Sequence, residues 1–253
     1  PLLSVVVINT AGFDHVRRTV HHLKGQTIRD RIELLFVVPD EKAGTRGMAA
    51  DEVAGFAAVR AVEVGRVESV GGAFAAGVRA ASGGVVALGE EHGFWDPGCA
   101  AALVAAVADG YAAVCPVLTN ANPRTAASWG NLTSSFAPFL AADRRVERDV
   151  LAAHQTAYRR DVLLALGDAL ERGLDYEWNL HAELRRRGER LAVDPAARIC
   201  HLQVSRHGAA AWAEFHAGRI YAANRAASNR WPAWKRVAFA AATPLLPAVR
   251  GRR

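Results

Sequence analysis

Short, mostly apolar runs at residues 4–9, 32–38, 61–64, 85–88 and 112–117 constrain this chain more than any other feature. A strand with one wet face alternates apolar and polar side chains. A run that is apolar at nearly every position is buried on both faces, the condition of a parallel sheet covered by helices. Between the runs lie segments of helical character. Residues 14–24 end at Gly25, Ser69 can cap a helix reaching about Ala81, and Pro97 suits the first turn of a helix over 100–108. The resulting β-α-β-α-β order predicts an α/β fold with a mostly parallel central sheet flanked by helices.

The remainder reads differently. Residues 118–149 are irregular and contain Asn120, Asn122, Trp129 and Phe136, the composition of a loop-rich excursion that carries binding groups. Further on, Asp161 can cap a helix over 162–171, and residues 176–187 form an amphipathic helix with Leu180 and Leu184 on its inner face. Asp175 stands where a cap for that helix belongs. Two short strands, 190–193 and 198–202, follow. Three segments result: a first half at 1–117, a second half of the same domain at 118–207, and a helical basic tail at 208–253.

An apolar fraction of 51% and a charged fraction of 22% fit a globular protein and exclude a disordered or fibrous one. Cys99, Cys115 and Cys200 are widely spaced and lack any CxxC, so neither a disulfide framework nor a zinc site is expected, and a cytoplasmic setting is the simplest. No signal sequence precedes the first strand, no apolar run approaches the roughly 20 residues that span a bilayer, and Pro1 in place of Met is consistent with a trimmed fragment. The net charge of +6 is concentrated at the end: after Glu214 there is no acidic residue, while Arg219, Arg225, Arg230, Lys235, Arg236, Arg250, Arg252 and Arg253 accumulate around Trp231, Trp234 and Phe239. That pattern fits peripheral contact with an anionic membrane surface at the inner face of the cell membrane, or a packed helix with a solvated basic face. No nucleic-acid motif accompanies the charge.

The segment Val85-Val86-Ala87-Leu88-Gly89-Glu90-Glu91-His92 runs a buried strand into two carboxylates and an imidazole. Such a donor set suits a divalent cation, and the carboxyl end of a strand is where open α/β sheets place ligands. A solvated acidic turn is the alternative for this segment taken alone.

The order of motifs resembles the family 2 nucleotide-sugar glycosyltransferases with the GT-A (Rossmann-like) fold. Residues 3–10 with Arg17-Arg18-Thr19 are similar to the family's first strand and helix, and Leu35-Phe36-Val37-Val38-Pro39-Asp40 to its nucleoside-contacting strand. Glu90-Glu91-His92 stands in place of the Asp-x-Asp motif, followed by Asp96-Pro97-Gly98. His154-Gln155-Thr156-Ala157-Tyr158-Arg159-Arg160-Asp161 looks like the acceptor-side strand. Tyr176-Glu177-Trp178-Asn179-Leu180 looks like the Glu-Asp-x-x-Leu helix. Gly71-Gly72-Ala73-Phe74-Ala75-Ala76-Gly77 stands where many relatives carry an Arg and an Asn that hold the donor.

The resemblance implies an inverting transfer of a sugar from a UDP- or GDP-linked donor to a hydroxyl acceptor such as a lipid-linked or cell-envelope glycan. It implies Glu177 as catalytic base, with Asp175 as runner-up. Donor contacts fall to Asn9, Thr10, Asp40, Glu90 and Glu91, and Mn²⁺ or Mg²⁺ to Glu91, His92 and His201. His154 and Trp178 line the acceptor side, and nucleic acid is not a partner. The departures from the usual motifs keep open a catalytically idle sugar-nucleotide or glycan binder, and the basic tail keeps open a membrane-recruited scaffold.

Overall fold

The computed structural model describes residues 1–243 and divides into two units, Pro1–Ala210 and Ala211–Arg253. In the first unit β1 (Leu3–Ile8) leads to α1 (Phe13–Lys24), β2 (Ile32–Val38), the single turn α2 (Glu41–Gly44), β3 (Ala58–Glu63) and α3 (Val70–Ala80). Then come β4 (Val85–Gly89), β5 (Gly93–Trp95), α4 (Cys99–Ala108), β6 (Ala113–Asn120), α5 (Ala126–Phe136) and β7 (Val146–Glu147). The unit closes with β8 (Ala157–Arg159), α6 (Arg160–Leu164), α7 (Ala169–Asp175), α8 (Glu177–Arg186) and β9 (Leu191–His201).

All strands join one sheet in the order β3-β2-β1-β4-β8-β6-β9-β5, with β7 also on β9. β3, β2, β1 and β4 run parallel, as do β6 and β9; β8 is antiparallel between β4 and β6. Every residue of β2 and β4 is buried, which is why their runs contain no polar alternation. The expected α/β class therefore holds, with helices flanking the sheet.

Several local expectations are corrected. Residues 93–95, unassigned from the sequence, form β5, antiparallel to the end of β9 with Gly93 opposite His201. The two strands expected at 190–193 and 198–202 are one strand, β9, whose register on β6 slips between Pro116 and Val117. The helix expected over 162–171 breaks into α6 and α7 at Gly167, whose φ of 54° only glycine adopts readily. Asp175 does not cap α8. It ends α7, and its Oδ1 accepts the backbone N–H of Gly71 at 2.6 Å. That contact needs glycine: a Cβ at Gly71 would lie 2.3 Å from the carbonyl oxygen of Glu171, so α3 seats directly on α7. Ser69 caps α3 as expected, its Oγ accepting from Gly72 N at 2.9 Å.

α9 (His207–Ser228) reaches into the second unit, where α10 (Ala233–Ala242) follows. Among the described residues no helix is long and apolar enough to cross a membrane. The tail residues Pro244, Leu245, Leu246, Pro247, Arg250, Arg252 and Arg253 lie outside the described residues.

Candidate active site

β1, β2 and β4 end on one edge of the sheet, and the chain leaving β4 forms the turn Glu90-Glu91-His92 there. α1 clamps that turn. Its buried face, Phe13, Val16, Thr19, Val20 and Leu23, packs inward, and Thr19 Oγ1 donates to Glu91 O at 2.7 Å and to Glu90 O at 3.3 Å. Immediately after the turn, β5 pairs with β9 and so carries His201 to the same place.

Glu90, His92 and His201 can each offer one ligand atom, and these atoms lie within 4.8 Å of one another. His201 Nε2 is 3.0 Å from Glu90 Oε2, and His92 Nε2 is 3.6 Å from the same oxygen. Burial pushes the Glu90 pKa up. The hydrogen bond from His201 and the charges of His92, His154 and His201 outweigh it, so the carboxylate stays ionised. One carboxylate oxygen and two imidazole nitrogens suit Mn²⁺ better than the all-oxygen preference of Mg²⁺. Gln203 Nε2 lies 2.6 Å from His201 Nδ1, so a metal on Nε2 requires the Gln203 amide to turn its oxygen toward Nδ1–H. Glu91, expected among the ligands, instead lies 3.4 Å from the Nδ1 of His92, with its side chain half exposed.

The second cluster is built on α8. Glu177 was expected to project into a cleft; its side chain is instead completely buried. Glu177 Oε2 accepts the Tyr158 hydroxyl at 2.5 Å, and Oε1 accepts the backbone N–H of His154 at 2.7 Å. Leu151 N donates to His181 Nδ1 at 3.3 Å, which leaves the His181 proton on Nε2, 2.8 Å from Tyr158 Oη. A directed chain results: His181 donates to Tyr158, and Tyr158 donates to Glu177. Burial holds His181 neutral, its pKa pushed down to about 4. For Glu177 burial acts upward, but the hydrogen bond and charge of His154 and the Tyr158 hydroxyl together leave the carboxyl below the usual range. His154 Nδ1 lies 2.9 Å from Glu177 Oε1, and the next residue, Gln155, bonds Glu90. Trp178, on the exposed side of α8, stacks on Tyr176 with ring centroids 6.4 Å apart.

At the end of β1, Asn9 is buried. Its Nδ2 donates to Gly44 O at 2.7 Å, while its Oδ1 has no partner among the described residues. Thr10, Gly12, Arg46 and Gly47 line an adjoining cavity of about 480 Å³. Asp40 sits exposed beyond β2, its carbonyl accepting from Gly44 N at 2.9 Å. A larger cavity of about 620 Å³ lies against α1 near Arg17 and Glu52 and touches none of the cluster residues.

The Glycosyl transferase family 2 profile matches residues 4–167, more than half of the chain. The chain belongs to glycosyl transferase family 2. Solved structures resemble it in fold. A mannosyltransferase, PcManGT from Pyrobaculum calidifontis in complex with GDP-Man and Mn²⁺, aligns with a TM-score of 0.62 at 20% identity, covering 92% of this chain and 65% of that one. GalNAc-T7 with UDP, GalNAc and Mn²⁺ aligns at 0.60 and 19%, covering 80% and 43%. S. aureus TarS aligns at 0.56 and 14%, covering 80% and 37%. The chain thus spans less than two thirds of each of these proteins. No curated protein sequence matches. The fold is that of the GT-A glycosyltransferases.

Within this family 2 domain, sequence reasoning missed four side chains that the fold brings to the site. Gln155 donates through Nε2 to Glu90 Oε2, and its Oε1 is buried with no partner among the described residues. Gln203 orients His201, and the Tyr158–His181 pair holds Glu177. Gln155 lies in the bend just before β8, and a polar residue leading into the apolar run Ala157-Tyr158 was the available signal. His181, between Leu180 and Leu184 on the inner face, could have been noticed as a polar residue among the leucines there, beside Glu177.

Proposed function

We propose that this family 2 domain transfers a sugar from a UDP- or GDP-linked donor to a hydroxyl acceptor on a lipid-linked or cell-envelope glycan, with inversion and with a divalent cation. The observation that carries this reading is the convergence of Glu90, His92 and His201 at the carboxyl end of β4, in a frame whose solved relatives hold UDP or a GDP-sugar with Mn²⁺. A cation bound there supplies charge neutralisation for a departing diphosphate. Glu90, His92 and His201 would hold it, Glu91 steadying His92 from the other ring nitrogen. Asn9, with its unpartnered Oδ1, Thr10 at the adjoining cavity and Asp40 supply the nucleoside end. Glu177 is the anion on which removal of the acceptor proton depends, and His154 and Trp178 face the acceptor.

A thermal-melting screen with UDP, GDP and their common sugar conjugates tests this reading, each with and without Mn²⁺ or Mg²⁺. One nucleotide at about 100 times its Kd with Mn²⁺ stabilises by about 2.7 kcal/mol. For a chain of this size that raises Tm by roughly 5–10 °C. Either component alone does much less. An unmoved Tm with every donor and both metals rejects the proposal.

The second unit supports a membrane-facing role at the cytoplasmic side. Trp212, Phe215, Ile220, Trp234 and Val237 are each more than half exposed. Arg219, Arg225, Arg230, Lys235 and Arg236 are interspersed with them. Each cation near an anionic bilayer contributes about 1 kcal/mol, so an anionic bilayer is the partner that fits. Cosedimentation with phosphatidylglycerol-containing vesicles is expected to fall at least tenfold, in proportion to lost charge, when residues 229–253 are removed. Equal binding by the truncated chain, or equal binding to neutral vesicles, contradicts the role.

A further inference from the structure

Glu177 has no route to an acceptor. Both of its oxygens already accept hydrogen bonds, and its side chain is 0% exposed. A base must come within about 3 Å of the hydroxyl it deprotonates. One ring covers the carboxylate on its open side. The His154 Nδ1 is buried 2.9 Å from Glu177 Oε1, while the side chain as a whole is 29% exposed. Its exposure therefore belongs to its other side-chain atoms, Nε2 among them. His154 is also held in place unusually firmly. Its φ is 59°, in the left-handed region that disfavours side chains, and its ring stacks on Phe74 with centroids 5.3 Å apart.

We propose that His154, and not Glu177 itself, meets the acceptor hydroxyl, so that the imidazole takes the proton while Glu177 stays ionised behind it. The proposal rests on the transferase reading above and refines it. In the step, the acceptor O–H bond breaks and its proton goes to Nε2. The freed electron pair on the acceptor oxygen forms the bond to the anomeric carbon. The bond from that carbon to the diphosphate oxygen breaks, its pair leaving on the diphosphate. Nδ1–H stays against Glu177 Oε1, which stabilises the imidazolium as a carboxylate does behind any histidine base. Tyr158 and His181 are then positioning residues, because they fix the carboxylate that fixes the ring.

The charges around His154 set the pH dependence. Burial lowers its pKa, but the hydrogen bond and charge of Glu177 on α8, with the charges of Glu90 after β4 and Asp175 at the end of α7, raise it to about 9. His92 faces it as a like charge. The neutral, proton-accepting ring thus becomes about tenfold more abundant per pH unit up to about 9.

Two measurements decide the assignment. In the ligand-free full chain, NMR titration of the His154 ring is expected near 9 and, in Glu177→Gln, to fall toward the ordinary 6.5; an identical titration in both overturns the pairing. Release of UDP or GDP from UDP-glucose, UDP-N-acetylglucosamine or GDP-mannose with Mn²⁺ gives the second. His154→Asn, which tolerates the left-handed backbone, and His154→Gln are each expected to lower release at saturating donor at least about 100-fold. The Tm shift from UDP or GDP with Mn²⁺ should persist in both. His154→Asn combined with Glu177→Gln should be no slower than the slower single variant, since the two act as a unit. Release by His154→Asn within threefold of wild type, or losses that multiply, overturn the assignment alone. A wild-type chain that neither releases nucleotide nor shifts in Tm with any donor overturns the transferase reading, and the assignment with it.

Discussion

Glu177→Gln lowers sugar transfer by about a thousandfold while leaving the Tm shift produced by nucleotide and Mn²⁺ in place. Loss of a positioned base-type group costs 10²–10⁴ in rate, and the removed charge is the one that draws the acceptor proton. The donor end is untouched, because Glu177 bonds His154 and Tyr158 rather than Glu90, His92 or His201. The substitution keeps the shape, yet its amide must point N–H₂ at one of two groups that now donate, the His154 N–H or the Tyr158 hydroxyl. One mismatched buried polar contact costs about 1–3 kcal/mol, so the unliganded Tm falls by several degrees. The pH dependence changes as well. The depressed Glu177 carboxyl contributes stability that is present above 4.5 and lost as pH falls through its lower folded value. The raised His154 contributes stability that is full below 6.5 and lost as pH rises through about 9. The wild-type pair is therefore worth most between 4.5 and 6.5, and the Gln variant lacks both limbs. Transfer within tenfold of wild type, measured as product sugar formed, contradicts the role given to this carboxylate.

Glu90→Gln is expected to remove Mn²⁺-dependent stabilisation and to lower transfer by about a thousandfold, roughly 4 kcal/mol of transition-state stabilisation. Glu91→Gln is expected to cost only about 10- to 100-fold, the usual effect of a residue that steadies a ligand. The distinction follows from place. Glu90 Oε2 is the oxygen on which His201, His92 and Gln155 converge. Glu91 meets only the far nitrogen of His92 from a half-exposed position. Calorimetry with Mn²⁺ on the two variants checks this directly: tighter binding by Glu90→Gln than by Glu91→Gln contradicts the assignment.

The legible part of this protein was the part whose signal lies within a few consecutive residues. Mostly apolar runs predicted β1, β2, β4 and β6, and Ser69 and Gly25 predicted helix limits, since burial on both faces and capping are local properties. β5 escaped because three residues carry no usable period, and β9 was divided because Pro195-Ala196-Ala197 bulge out between Asp194 and Arg198, the partners of Pro116 and Val117, without ending the strand. Asp175 looked like a cap. It serves α3 instead, through Gly71, and that contact is 104 residues away in sequence.

The order of motifs along the chain, together with its buried parallel strands, determined the fold class and the turn at which a cation-type donor set would stand. Tertiary structure alone decided which carboxylate faces which imidazole. Glu90 and Glu91 are neighbours with equal claims in sequence, and only the pairing of β5 with the end of β9 brings His201 to Glu90. The same holds for Glu177. A helix start beside a cleft reads as an open carboxylate, whereas α8 packs so that Tyr158 and His154 enclose it. A side chain's chemical type is set by the sequence, but its pKa and its exposure depend on groups brought near from distant positions, and no local pattern encodes that proximity.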